Sequence, residues 1–328
     1  MRKSIWLLLA AAALLLTACG GEQSVPTMGS EDLTQIRLPM GYIPTVQYAP
    51  LYVAKEKGYF AEAGFDVDFD YSSETDGVAL VGQGEQPFSL ASGEQVLLAR
   101  EQGIPVVYVL GWYQDYPVAV VAKSESGISG PQDLIGRRVG LPGLYGANYI
   151  GLIAMLHSQG IAESDLVLDS IGYNQVEALA TDQEEAVVGY STNEPVVLAA
   201  EGYEINTFEV AEFVQLAANG LVTNETMIAE HPEAVQAFVS AMIHGIEDVI
   251  ADPEAAYEVC FEYVEGLEEQ EGGVQMEVLL RSIDYWVADR VGYIQPQAWE
   301  NMQQVLLEMG LLSQEIDLEA AYTNQFVD

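Results

Sequence analysis

"MGYIPTVQYAPLYVAKEKGYF", residues 40–60, decides how this chain is read. Its first residues are extended and Pro-flanked. Its later ones place Tyr48, Leu51, Tyr52, Lys55 and Tyr59 at helical spacing, over 46–62, with Gly64 as the stop. A strand hands over to an amphipathic helix here, and Tyr42, Gln47 and Tyr48 sit at the changeover. Working outward, "IRLPMGY" is a short strand and "FDVDFDY" alternates with the period of two that a strand requires. The alternation continues with helix "GVALVGQG", strand "PFSLAS", helix "GEQVLLAREQG" and the β-rich runs "PVVYVLGWY" and "VAVVAK". After "DLIGRRVGLPG" come helix "NYIGLIAMLHSQG", strand "LVLDSIG", helix "QVEALATDQ" and strand "EAVVGY". Strands separated by helices of this length predict an α/β fold of parallel-rich sheets flanked by helices. From about Asn224 nearly everything reads as helix, with two more helices expected after "CFEYV".

Two α/β halves and a helical C-terminal segment predict two lobes. "GWYQDYPVAVVA" is the first crossing between them and "FEVAEFVQLAANGLVTN" the return. The first lobe is expected at 33–117 and 213–328, the second at 118–212. No internal repeat or low-complexity tract interrupts either.

The N-terminus reads differently. Arg2 and Lys3 precede an apolar run from Ile5 to Leu16, too short to span a bilayer, and then Thr17, Ala18 and Cys19. Small residues before a cysteine resemble a bacterial lipoprotein signal, with 1–18 removed and Cys19 acylated; an ordinary secretory leader is the alternative. Residues 19–32 are polar and carry Gly, Ser and Pro, as a flexible tether does. No apolar stretch after Leu16 is expected to approach the length of a transmembrane helix. Cys260 is the only other cysteine, so no disulfide framework follows, and its helical setting predicts a buried small hydrophobe.

The net charge is −39, and losing Arg2 and Lys3 with a leader makes it more negative still. Such a surface repels nucleic acid and anionic headgroups. The acids are scattered, which suits a solubility or salt adaptation better than one acidic tail binding a partner. Catalytic patterns are missing: the sequence holds no HExxH, Cys-x-x-Cys, GxSxG or full P-loop, and His157, His231 and His244 stand apart on helical segments. No metal site and no cofactor is expected.

The lipoprotein start, "GYIPTVQYAPLYVAKEKGYF", "DLIGRRVGLPG", "NEPVVLAAEGY" and "NGLVTNETMIAEHPEAVQAFVSAMIHGIEDVIADPEAA" together resemble the periplasmic-binding-protein family of thiamine-pyrimidine, sulfonate and nitrate receptors. The resemblance runs in order over nearly the whole mature chain. It implies a two-lobed type II fold that closes on a small molecule and presents it to an ABC permease and its ATPase. It implies a monomer held outside the cytoplasm by its lipid. "GWYQDYPVAVVAKSESGI", "GLPGLYGANYIGLIAML" and "GYSTNEPV" are most similar to the branch that binds riboflavin or thiamine pyrimidine precursors, hydroxymethylpyrimidine or formylaminopyrimidine. Eukaryotic cousins make the thiamine pyrimidine with a histidine and a Cys-rich motif. No Cys cluster occurs in this sequence, so the resemblance implies binding rather than synthesis.

Ligands of open α/β sheets lie beyond the carboxyl ends of strands, where helices begin. Tyr42, Gln47 and Tyr48 occupy such a place, although Tyr48 also suits the core face of its helix. Ser92 and Glu94 stand at a second strand-to-helix turn, where Ser92 can instead be a plain cap. Trp112, Tyr113 and Tyr116 fall at the first crossing and can stack on a flat ring or pack the hinge. From the second lobe come Tyr145 and Asn148, in a loop opened by Gly143 and Gly146, and Ser191, Asn193 and Glu194 ahead of Pro195. Asn148 can instead cap its helix, and Glu194 can instead complement its helix dipole. None of the nine basic residues left after the leader falls among these candidates. A sulfonate or nitrate would need a charged donor or a nest of N–H groups. A neutral aromatic heterocycle fits better, riboflavin first and a thiamine pyrimidine precursor second.

Cys19→Ser is expected to give an unlipidated product, since one side chain carries the whole acyl attachment. Membrane fractionation checks this: a variant that stays with the membrane at high salt would contradict it.

Overall fold

Two groups of strands organise the chain. The computed structural model describes residues 33–269 and 273–327. The expected leader, Cys19 and the tether lie outside the described residues. β1 (Thr34–Gly41) leads through a 3-10 turn at Val46–Tyr48 into α1 (Ala49–Glu56) and α2 (Tyr59–Glu62). β2 (Phe65–Ser73), α3 (Glu74–Gly82), β3 (Ser89–Ser92), α4 (Gly93–Glu101) and β4 (Val106–Gly111) complete the first group. The second contains β5 (Val118–Lys123), β6 (Arg138–Leu141), α5 (Gly146–Ser158), β7 (Val167–Ser170), α6 (Gln175–Ala180), β8 (Ala186–Tyr190), α7 (Glu194–Ala200) and β9 (Ile205–Glu209). The chain returns to the first group through β10 (Asn219–Asn224). It ends in α8 (Glu225–Glu230), α9 (Pro232–Ala251), α10 (Pro253–Cys260), α11 (Val274–Trp286), α12 (Pro296–Glu308) and α13 (Leu318–Ala321).

The second lobe holds one sheet of order β7-β6-β8-β5-β9. β6 pairs in parallel with β7 and β8, whereas β5 is antiparallel to both β8 and β9. In the first lobe β1 and β2 pair in parallel, and β10 lies between β3 and β4, antiparallel to each. The Ser89 hydroxyl, which reaches the Pro39 carbonyl at 3.4 Å, links β3 to β1. Thus the sheets are less uniformly parallel than the alternation predicts. A parallel neighbour needs a crossover helix between the strands. β5 and β10 enter straight from the two crossings, without one, and run against their neighbours.

Local sequence explains the element ends. Ser73 Oγ accepts from the Asp76 N–H at 3.2 Å and starts α3; Asn224 Oδ1 accepts from the Met227 N–H at 2.8 Å and starts α8. The single helix expected over 46–62 is instead a 3-10 turn and two helices, broken at Gly58 with φ +81°. Among the described residues three α-helices rather than two follow α10, the last of only four residues.

The expectation that no later stretch approaches spanning length also needs correction. α9 has 20 residues and is long and apolar enough to cross a membrane by length and composition alone. Its apolar residues are the inner stripe of a core helix: Val235, Phe238, Val239, Met242, Ile246 and Val249 are all buried at helical spacing. The Phe238 ring stacks on Phe60 at 4.8 Å and on Phe88 at 4.1 Å, tying α9 to α2 and to the loop before β3. Cys260 is buried, and burial pushes its thiol up to about 12.

α9 also approaches α1 closely at Gly245, where an added Cβ would overlap the Pro50 carbonyl oxygen and meet Ala54 Cβ at 3.0 Å. Gly245→Ala is therefore expected to lower stability by about 1–3 kcal/mol through overpacking. Urea unfolding measures it; an unchanged midpoint would mean that α1 yields without cost.

Candidate functional site

The cleft between the lobes closes on a cavity of about 160 Å³, taken as space open to the centre of a water-sized sphere. The carboxyl end of β1 lines it at Met40 and Gly41, where the β1–β2 register shifts between Pro39 and Gly41. Gly41 takes φ +86°, and an added Cβ there would lie 2.6 Å from Glu74 Cγ. Only glycine fits that turn beside that carboxylate.

Of the expected site residues, Tyr42, Gln47, Tyr48, Trp112, Tyr113, Tyr145, Asn148, Asn193 and Glu194 line the cavity. Tyr48 stacks on Trp112 at 5.4 Å, and Trp112 stacks on Trp286 at 6.0 Å. Tyr48 serves both readings, since it faces the cavity while its hydroxyl donates to the Met40 carbonyl at 2.7 Å. Tyr42 meets Tyr173 edge to face at 4.8 Å, one from each lobe. Tyr145 is 76% exposed and Tyr173 59%, so the cavity's rim is aromatic and wet. Trp112 is 4% exposed, and its indole N–H has no acceptor among the described residues. Asn148 Oδ1 is also buried and without a partner among the described residues, so Asn148 is not spent on capping α5.

Ser92, Glu94, Tyr116 and Ser191 do not line the cavity. Ser92 Oγ lies 2.6 Å from Glu74 Oε2 and 2.5 Å from Glu94 Oε1, so Ser92 and Glu94 form a layer behind Glu74. Tyr116 packs under Gly151 and donates to the Ala147 carbonyl at 2.9 Å, supporting the loop that carries Asn148. The Ser191 hydroxyl turns away to the Pro117 carbonyl at 3.2 Å.

The sequence reading missed Glu74, Asn219, Tyr173, Tyr190 and Gln175, which also line the cavity. Glu74 follows Ser73 in a capping position and reads as a helix-start acid. Asn219 was visible only as part of the return crossing. Yet Asn219 Nδ2 donates to Glu74 Oε1 at 2.9 Å, and its Oδ1 accepts from the Tyr190 hydroxyl at 2.9 Å. A second bridge between lobes runs from Gln47 Nε2 to Thr192 Oγ1 at 2.7 Å, beside the Tyr113 hydroxyl.

No lysine or arginine lines the cavity among the described residues, whereas Glu74 and Glu194 face it from opposite lobes. Burial raises the pKa of both. Glu194 Oε2 accepts from the Tyr190 N–H at 2.7 Å, which partly offsets that burial. Among the described residues no group of three or more His, Cys, Asp or Glu is placed to hold a metal. The arrangement suits a flat, uncharged molecule that stacks on aromatic faces and offers N–H or O–H groups to carboxylates.

Comparison with known proteins agrees with this fold. The family described as NMT1/THI5 like matches residues 45–256. The chain is 36% identical to the riboflavin-binding protein RibY of Chloroflexus aurantiacus, covering 96% of this chain and 95% of that one. It is 31% identical to the formylaminopyrimidine-binding protein of Halalkalibacterium halodurans, over 76% and 75% of the two chains. A 4-amino-5-hydroxymethyl-2-methylpyrimidine phosphate synthase of Aspergillus parasiticus is 25% identical over 86% and 84%. The periplasmic aliphatic sulphonate binding protein SsuA from Escherichia coli superposes with TM-score 0.70 at 11% identity, over 87% of this chain and 96% of that one. That likeness speaks for the fold alone, which is the two-lobed periplasmic-binding-protein fold.

Gly189, in β8, is what lets Glu194 turn back over its own strand: an added Cβ would overlap the Glu194 carboxyl. Gly189→Ala is expected to cost about 1–3 kcal/mol. Adding Glu194→Ala should recover most of that, and urea unfolding of the single and double variants checks the coupling.

Proposed function

This chain belongs to the NMT1/THI5-like family, and we propose that it is the solute-binding component of an ABC importer, taking riboflavin into the cleft between its lobes. The lobes are 33–117 with 213–328, and 118–212. The chain works as a monomer, held outside the cytoplasm through Cys19, and hands its ligand to a permease driven by an ATPase. One observation carries the reading: the cavity joins an aromatic wall at Tyr48 and Trp112 to carboxylates on both lobes, with no basic residue lining it among the described residues.

Tyr42, Gln47, Tyr48, Trp112 and Tyr113 form the first-lobe wall, and Tyr145, Asn148, Asn193 and Glu194 the second. The flat ring stacks against the Tyr48–Trp112 pair. Asn193 and Glu194 face its polar edge, the amide able to donate and accept and the carboxylate to accept. The unpaired Trp112 N–H and Asn148 Oδ1 are completed by ligand groups of matching polarity. A sulfonate does not suit this cavity, because two carboxylates would face it without a counter-charge. The second reading is a thiamine pyrimidine precursor, supported by the formylaminopyrimidine-binding relative. A synthase role lacks support in the site, since neither His nor Cys lines the cavity among the described residues.

Calorimetric titration with riboflavin, an aminopyrimidine precursor, taurine and nitrate tests the reading. Riboflavin is expected to bind and to quench tryptophan fluorescence. Trp112→Ala should weaken binding by about 1–3 kcal/mol, as loss of a stacking face does. Glu194→Ala should weaken it about tenfold or more by leaving its ligand partner unpaired. Uptake of taurine or nitrate, with neither heterocycle bound, would overturn the proposal.

A further inference from the structure

The row Glu74–Ser92–Glu94 has too few hydrogens for two ionised acids. Ser92 Oγ lies within 2.6 Å of both Glu74 Oε2 and Glu94 Oε1, but a hydroxyl carries one hydrogen. With both carboxylates charged, one of these contacts would set a lone pair against a lone pair. One carboxyl must therefore bring a proton.

The donors decide which one. Glu74 already accepts from the Ser92 N–H at 3.1 Å and from Asn219 Nδ2 at 2.9 Å. Glu94 has only its own backbone N–H and the Gln95 amide, the latter at 3.4 Å, while its Oε2 is buried without a hydrogen-bond partner among the described residues. Glu94 is wholly buried, and burial with the Glu74 charge pushes it up to about 8. The other titratable groups near the row are tyrosines: Tyr48, Tyr108, Tyr116, Tyr173 and Tyr190. All are neutral at ordinary pH, and no cation acts on either carboxyl. The charge sits on Glu74, the member that lines the cavity. Trp112, on the same cavity wall, is 4% exposed and its indole N–H is buried without a hydrogen-bond partner among the described residues.

Resting on the riboflavin reading, we propose that Glu74 is a specificity-determining acceptor for an N–H or O–H group of a neutral ligand, and that Glu94 is the positioning residue that keeps the row at a single charge by holding its one proton through Ser92. Closing the cleft over a neutral ligand strips water from the row, so a second charge there becomes more costly. Ligand affinity accordingly falls as pH rises through the loss of the Glu94 proton. Folding is linked to the same proton. A carboxyl that binds its proton more tightly when folded loses stability as pH climbs from the ordinary carboxylate range to about 8, and is level above. Glu94→Gln keeps a neutral side chain that can donate to Ser92 and removes that slope.

The experiment uses wild type, Glu94→Gln and Glu74→Gln, with Glu74→Asp in reserve should the amide fail to fold. Thermal unfolding without ligand is followed from pH 5 to pH 9. The wild-type Tm is expected to fall by at least about 4 °C more than that of Glu94→Gln. Riboflavin titration at pH 7 and pH 9 should show wild-type affinity dropping several-fold, with the Glu94→Gln profile flat. Glu74→Gln, or Glu74→Asp, should bind about tenfold more weakly at pH 7. Parallel melting profiles for wild type and Glu94→Gln would overturn the assignment of the proton. Wild-type affinity in the Glu74 variants would overturn the ligand role. Failure of wild type to bind riboflavin at all would count against the functional reading instead, while the ligand-free melting profiles still decide the proton.

Discussion

Asn219 is the residue through which the two lobes and their connection are held in one arrangement. Its carbonyl accepts from the Trp112 and Tyr113 N–H groups, both at 3.1 Å, so the outgoing and returning crossings lie side by side. Its side chain takes the Tyr190 hydroxyl of the second lobe and gives its amide to Glu74 of the first. At 8% exposure, none of these groups can fall back on bulk water, so each must find its partner inside the protein. Burying a polar hub is tolerable only when it is fully bonded, and Asn219 spends the three groups described here on the closed arrangement.

The rest of the cleft follows from that constraint. With the crossings paired, Trp112 lies against Tyr48 and Trp286, and Tyr113 comes beside Gln47 and Thr192. Each hydrogen bond across the cleft contributes only about 0.5–1.5 kcal/mol. A few such bonds can hold the lobes together without making opening prohibitive. That balance matters for a protein whose ligand must enter and leave between them.

The charge pattern has two scales. Over the surface, a net charge of −39 repels anions at long range and is screened by salt. Within the cavity, Glu74 and Glu194 act at contact distance and in low dielectric, where screening is weak. In the function proposed above, the second scale reads ligand chemistry. On that proposal it selects donors and disfavours anions whatever the reason for the acidic exterior.

By itself the sequence determined the α/β class, most of the alternation of strands and helices though not the strands β6, β9 and β10, the helical tail and the aromatic residues of the cavity wall. These are local matters: side-chain period, turn chemistry and the rule that strand ends meet helix starts. Tyr42, Gln47, Tyr48 and Glu194 announced themselves by standing at such junctions, and Trp112 by standing at the first crossing between lobes. Tertiary structure alone decided the rest. It placed Ser92 and Glu94 behind the wall because Glu74, from a different helix, stands in front of them. It turned Ser191 and Tyr116 onto backbone carbonyls, a choice that depends on chain brought in from Pro117 and Ala147. It made α9 a core helix through Phe60 and Phe88, although its hydropathy alone would also let it span a bilayer. Asn219 is the clearest case, for its partners Glu74 and Tyr190 lie 145 and 29 residues away. No local pattern carries such a pairing, because it comes into being only when the two crossings meet.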